Sequence, residues 1–150
     1  MSEIPADLRS EYIHQADPFT VRRRVKWGEC DAVGVVWAVN YAEYATSATE
    51  LLLWALLGMS PERSRQELGI RTPYKVIHLE YHSSLRTDEE FDMRVRVEHV
   101  GNTSFAFSVA GEKQARPVFD ASLTLVCVGG QWGKTTPIPG ALRAALAKAG

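Results

Sequence analysis

Cysteine is scarce in this 150-residue chain: Cys30 and Cys127 are the only two. That excludes a disulfide framework and a zinc ligand set built on thiolates. Net charge is equally scarce, with 17 Lys and Arg against 18 Asp and Glu, so no broad field draws the chain toward nucleic acid or an anionic membrane. The longest apolar run, Leu51 to Leu57, falls far short of the ~20 residues that span a bilayer. The N-terminal stretch MSEIPADLRSEYIHQ is polar and acidic and lacks the apolar segment of a secretory leader. His14, His78, His82 and His99 show no metal-ligand spacing; His78 and His82 share a strand face but stand too far apart to hold one ion without further ligands. These absences predict a soluble, reduced, cytoplasmic protein, and the length suits one domain with a sizeable core.

What is present is an ordered succession of periodicities. Residues 1–17 carry none and are expected to form a flexible arm ahead of a domain over 18–150. Phe19 to Trp27 alternates apolar and basic residues, with Arg23 breaking the pattern, and predicts a strand. From Asn40 the spacing turns helical: Tyr41, Tyr44, Ala45, Ala48, Leu51, Leu52, Ala55 and Leu56 fall on one stripe, and Gly58 suits the C-cap. Ser60-Pro61 restarts a short helix that ends near Gly69. After Thr72-Pro73 the period drops to two, placing Ile77, Leu79, Tyr81 and Leu85 on one strand face. Strands follow over Phe91–Glu98, Phe105–Val109 and Val118–Val128, separated by turns at Asp88–Glu90, Gly101-Asn102 and Gly111–Arg116. Gly129-Gly130 predicts a further turn before Trp132, and Pro137 and Pro139 precede a terminal helix over Ala141–Ala149. The order predicts an α+β domain with a single antiparallel sheet. The long helix is apolar over more of its circumference than one sheet covers, which predicts a dimer.

Residues 27–41, WGECDAVGVVWAVNY, hold the densest chemistry. Two carboxylates, Glu29 and Asp31, precede Gly34, the apolar residues Val35 to Val39 and the start of the long helix. A carboxylate in a tight loop before a helix N-terminus can sit beside free amides and the positive end of the helix dipole, where a carbonyl or developing oxyanion binds. Asp31 is equally suited to turning the chain or capping the helix. On an extended chain Glu29 faces the same side as Asp31 and either assists it or is a solvent-facing or salt-bridged acid. Cys30, between two acids, is disfavoured as a thiolate and reads as an inert packed residue. Gly34 marks a backbone requirement, and Asn40 a helix cap or a loop-orienting side chain. Tyr41 and Tyr44 belong to the core stripe, and Trp37 either lines a pocket or packs.

The string Trp27, Gly28, Glu29, Asp31, Gly34, Val35, Val36, Trp37, Asn40, Tyr41, with these elements after it, resembles the hotdog-fold thioesterases, in particular the branch of 4-hydroxybenzoyl-CoA thioesterase and the YbgC-like acyl-CoA thioesterases. Thr72-Pro73, Tyr81, Asp88, Ser104-Phe105 and Pro137-Ile138-Pro139 also match family positions, so the resemblance covers about residues 19–147. It implies an antiparallel sheet wrapped around the long helix, a homodimer or homotetramer with active sites at the subunit interface, and hydrolysis of acyl-CoA to carboxylate and free CoA. It implies no cofactor beyond the coenzyme A of the substrate. Asp31 takes the place of the catalytic carboxylate and Ala38 that of the backbone amide that polarises the carbonyl; Gly34, Trp37, Asn40, Tyr41 and Thr72 are implied in substrate binding. Trp37-Ala38 stands where some members carry Tyr-His, which points toward an aromatic or bulky acyl group. The turn at Gly101–Thr103 lacks a basic pair used on CoA phosphates, leaving Lys75, Arg86, Arg94 and Arg96 as available cations. The rival expectations are an acyl-carrier-protein thioesterase on the same fold and a non-catalytic acyl-CoA-binding protein. Hydratase chemistry would need a histidine in the loop ahead of the helix, and this loop has none.

Overall fold

A computed structural model describes residue 3 and residues 8–130 and 133–149; Trp132 and most of the first seven residues lie outside the described residues. Among the described residues there are six strands and three α-helices: β1 (Glu11–Ala16), β2 (Phe19–Arg24), α1 (Asn40–Leu57), α2 (Pro61–Leu68), β3 (Tyr74–Tyr81), β4 (Glu90–Val100), β5 (Ser104–Lys113), β6 (Arg116–Val126) and α3 (Gly140–Lys148). The strands form one sheet in the order β1-β2-β4-β5-β6-β3, every neighbouring pair antiparallel.

The alternation expected in β4 is present: Phe91, Met93 and Val95 are buried while Asp92, Arg94 and Arg96 face outward. Phe105, Phe107 and Val109 of β5 and Phe119, Ala121, Leu123 and Leu125 of β6 complete the inner face. Against it lies α1, whose buried residues Tyr41, Tyr44, Ala45, Ala48, Thr49 and Leu52 recur at three- and four-residue steps. Tyr41 meets Phe119 edge-on at 5.4 Å between ring centroids, and Tyr44 meets Phe91 at 5.1 Å. Full burial of each such side chain stabilises the fold by ~1.5–3 kcal/mol, so these rings fix the helix on the sheet. The caps are those predicted: Gly58 and Gly69 close α1 and α2 at φ of 67° and 66°, and Ser60 Oγ accepts the Arg63 N–H. Pro139 precedes α3, which buries Leu142 and Leu146.

Three expectations need correction. The flexible arm is in part a strand: Glu11–Ala16 pairs with β2 along the outer edge of the sheet. Its burial alternates poorly because it is an edge strand, and only the backbone register with β2 reveals it. The predicted strand Phe19–Trp27 ends at Arg24, and Trp27–Glu29 makes a single 3-10 turn. Leu85 does not continue the face of β3. It is fully buried beyond the strand end, where its carbonyl accepts the Val36 N–H.

Candidate active site

The loop between β2 and α1 is held from both sides. Its carbonyl at Glu29 accepts the Trp37 N–H at 3.1 Å and Asn40 Nδ2 at 2.8 Å. Asn40 therefore orients the loop, the second of its two expected roles, while Val39 occupies the cap position of α1. Isolated bridges Cys30–Val36 and Val35–Arg86 tie the loop to itself and to the segment after β3. Gly34 sits at φ 91°, a conformation that L side chains rarely adopt, which is the backbone requirement expected of it.

This turn fixes Asp31. Its Oδ1 accepts the Val33 N–H at 2.8 Å and the Val35 N–H at 3.4 Å, while its own N–H bonds to the Val35 carbonyl. Asp31 is exposed, and no donor among the described residues engages Oδ2. The aspartate is thus both a turn former and the bearer of one uncommitted carboxylate oxygen. At the helix entrance the Asn40 and Tyr41 amides are satisfied by Trp37 and Ala38 carbonyls, whereas the Ala38 and Val39 amides find no acceptor among the described residues. Two donors at the positive end of an 18-residue helix are therefore open to an incoming oxygen.

Glu29 does not stand beside Asp31 with a bare charge. The 3-10 turn breaks the strand alternation, and Glu29 turns inward to Arg23. Arg23, buried on β2, reaches Glu29 Oε2 at 2.6 Å and Glu11 Oε2 at 3.3 Å, and its guanidinium lies 4.8 Å from the Tyr44 ring centroid. Glu29 Oε1 accepts the Lys26 N–H, and Ser47 Oγ reaches Glu11. The Tyr44 hydroxyl is buried here without a hydrogen bond of good geometry, and burial, then the Glu29 carboxylate, push its pKa well above the usual phenol range. Sequence reasoning saw Arg23 only as an interruption; an arginine at an inward-facing strand position was the available signal of a buried partner.

The remaining predicted residues separate. Tyr41 is buried, its hydroxyl accepting the Leu85 N–H at 3.3 Å, and supports the loop from beneath. Trp37 is 60% exposed, and with Trp27, Val33 and Val39 leaves large apolar side chains in the open around Asp31. Cys30 is half-buried, with Thr87 Oγ1 donating to its Sγ. Thr72 lies elsewhere: it lines a cavity of about 380 Å³ with Leu53, Trp54, Leu57, Leu68 and Tyr74. Leu53 is ~20 Å along the helix from Asn40 at 1.5 Å per residue, so one chain does not bring this cavity to Asp31. Of the four cations weighed for phosphate binding, Arg94 is paired with Glu112, whereas Arg86 is exposed and bridges the loop through its backbone. Among the described residues no cluster of His, Cys, Asp and Glu is arranged to hold a metal ion, and no helix is long and apolar enough to cross a membrane.

Comparison with known proteins places this geometry. A hypothetical protein of Aquifex aeolicus is 28% identical, with a TM-score of 0.78 over 86% of this chain and 99% of its own. A gentisyl-coenzyme A thioesterase is 23% identical, with a TM-score of 0.74 over 85% and 98% of the two chains. A 1,4-dihydroxy-2-naphthoyl-CoA thioesterase from Synechocystis is 16% identical, with a TM-score of 0.76 over 86% and 95%. These likenesses establish the shared hotdog fold. Residues 25–146 match the family described as the Thioesterase-like superfamily, a span that takes in the loop, the long helix and all but two strands, and the chain belongs to that superfamily.

Proposed function

We propose that this protein is an acyl-CoA thioesterase in which Asp31 acts on the thioester carbonyl. The observation that carries the reading is the pairing of one uncommitted carboxylate oxygen with two unsatisfied amides, on a loop clamped to the start of α1. A thioester carbonyl seated on the Ala38 or Val39 N–H is polarised, and the negative charge that grows on its oxygen is met by a fixed donor and the helix dipole. Asp31 Oδ2 then either attacks the carbonyl carbon, so that the C–S bond breaks and water later hydrolyses the anhydride, or takes a proton from water that attacks directly. Incorporation of oxygen-18 from labelled water into Asp31 during single turnovers marks the anhydride route, with water attacking the aspartyl carbonyl.

The site is completed by a second copy of the chain. Among the described residues β3 is paired only on its β6 side, and it leaves Val76 51%, Ile77 41% and Tyr81 50% exposed, an edge suited to antiparallel pairing with itself. A two-fold axis near Ile77 and His78 would set Tyr81 of one protomer opposite Tyr74 of the other, joining the loop of one subunit to the 380 Å³ cavity of its partner. That volume lies in the ~300–1,000 Å³ range of small-molecule sites, and its apolar lining suits an acyl group. Arg86, exposed and bridged through its backbone to Val35, is the cation assigned to the CoA phosphates in this reading. The two aryl-CoA thioesterases among the structural neighbours favour an aromatic acyl group. The test is thiol release from short-chain, long-chain and aromatic acyl-CoAs. Turnover of at least one, with the aromatic esters preferred, supports the reading, and failure with all of them rejects it.

A further inference from the structure

The long helix starts without a side-chain cap: Val39 holds the cap position. Asn40, of a type favoured at caps, stands one position later and turns its side chain elsewhere. Its Nδ2 donates at 2.8 Å to the carbonyl of Glu29. That carbonyl also accepts the Trp37 N–H at 3.1 Å, and the Asn40 N–H reaches the Trp37 carbonyl at 2.9 Å. These hydrogen bonds close the segment 37–40 onto Glu29. Inside it stand the Ala38 and Val39 amides, neither with an acceptor among the described residues.

Glu29 is itself a fixed post. Its carboxylate is held by buried Arg23 at 2.6 Å and by the Lys26 N–H at 2.7 Å. From it the chain runs on to Asp31, whose turn is closed by the Asp31 N–H to the Val35 carbonyl at 2.9 Å and the Gly34 N–H to the Asp31 carbonyl at 3.0 Å. The carboxylate and the open amides are therefore both located from one residue, the first along the backbone and the second across the Asn40 bond. A carbonyl only accepts, so this bond needs the carboxamide nitrogen; an aspartate there would face it with a repelling oxygen.

Resting on the thioesterase reading above, we propose that Asn40 is a positioning residue for the reaction: its hydrogen bond to the Glu29 carbonyl sets the separation between the Asp31 carboxylate and the amide that receives the thioester oxygen. The bond holds the whole segment, so it serves the Ala38 and Val39 N–H groups alike. Asn40 acts through the backbone and touches no reacting atom. Its partner Glu29 belongs to the same chain, so the clamp is independent of what covers the β3 edge.

The test compares Asn40→Asp, which keeps the shape and removes the donor, with Asn40→Ala, which removes the donor without adding charge. Both should lower kcat by ~10- to 100-fold, the scale on which a displacement of about 1 Å acts, with KM within about twofold. Affinity for a CoA trifluoromethyl ketone, which forms a tetrahedral adduct, should fall by the same factor as kcat/KM, while that for an unreactive acyl-CoA thioether stays constant. A clamp that served the fold alone would lower stability and leave kcat per folded molecule unchanged. Amide hydrogen exchange needs no turnover: Trp37 should exchange slowly in the parent protein and faster in both variants, while Phe107 in the middle of the sheet keeps its protection. Unchanged kcat, equal losses for both analogues, or a freely exchanging Trp37 amide in the parent protein would each overturn the proposal. Lack of thioesterase activity in the parent protein would instead reject the reading on which it rests.

Discussion

Arg23 Nη2 and Glu29 Oε2 lie 2.6 Å apart beneath the loop that carries Asp31, and both side chains are nearly out of water, at 8% and 13% exposure. The backbone of Glu29 receives Trp37 and Asn40, so the ion pair anchors the residue onto which the helix entrance is fastened. One side chain thus links β2, the loop and the start of α1. Removing the cation by Arg23→Met should cost ~3–5 kcal/mol, the penalty for stranding buried partners of a broken pair, because Glu29 and Glu11 both lose their counter-charge. Urea denaturation measures it; a loss under 1 kcal/mol would show that the pair bears little of the fold.

Asp31→Asn should leave folding and self-association intact, because the amide oxygen can still accept the Val33 and Val35 N–H groups. Thioester hydrolysis should fall at least ~10²-fold, the scale of acid–base contributions. Steady-state thiol release checks this, and normal turnover by the variant excludes Asp31 as the reactive group.

The exposed edge of β3 makes a separate prediction. Ile77→Lys places a charge on a strand whose outer side has no partner among the described residues. The variant should remain folded by circular dichroism, elute as a monomer in light scattering, and lose activity together with the subunit contact. A parent protein that is already monomeric at micromolar concentration would remove the interfacial site altogether.

Alkaline pH should loosen the fold. Burial raises the pKa of Tyr41, Tyr44 and Tyr74 above the ordinary value of 10.0. For a group whose folded pKa is raised, the folded chain holds its proton longer than the unfolded one. The stabilisation is complete below the unfolded value and is lost as pH climbs past it. Absorbance at 295 nm should therefore report fewer than the five tyrosinates in native protein just above pH ~10, with the rest appearing together with unfolding. Full ionisation of all five without unfolding would contradict the burial of Tyr41 and Tyr44.

Much of this was legible beforehand because it is local. The stripe from Tyr41 to Leu52, the alternation from Phe91 to Val97, the glycine caps at Gly58 and Gly69 and the Gly34 turn each express a preference set within a few residues. The substrate-binding role given to Thr72 was not brought to the loop within the chain, because Thr72 and Asp31 belong to opposite ends of α1. Glu29 is salt-bridged, one of the readings expected of it, but its partner Arg23 was not legible, because a 3-10 turn replaced the last residues of the expected strand. β1 was missed because an edge strand need not alternate.

By itself the sequence determined most of the elements, the family and the choice of residues 27–41 as the candidate site, since periodicity, turn residues and a motif of fifteen positions are properties of neighbouring residues. Only the tertiary structure decided that Arg23 neutralises Glu29, that β3 is an open edge, and that Tyr81 reaches across 43 positions to the Ala38 carbonyl. Such pairings depend on strand register and on how the helix seats against the sheet, and these are fixed by packing summed over the whole core rather than by any segment's own preference.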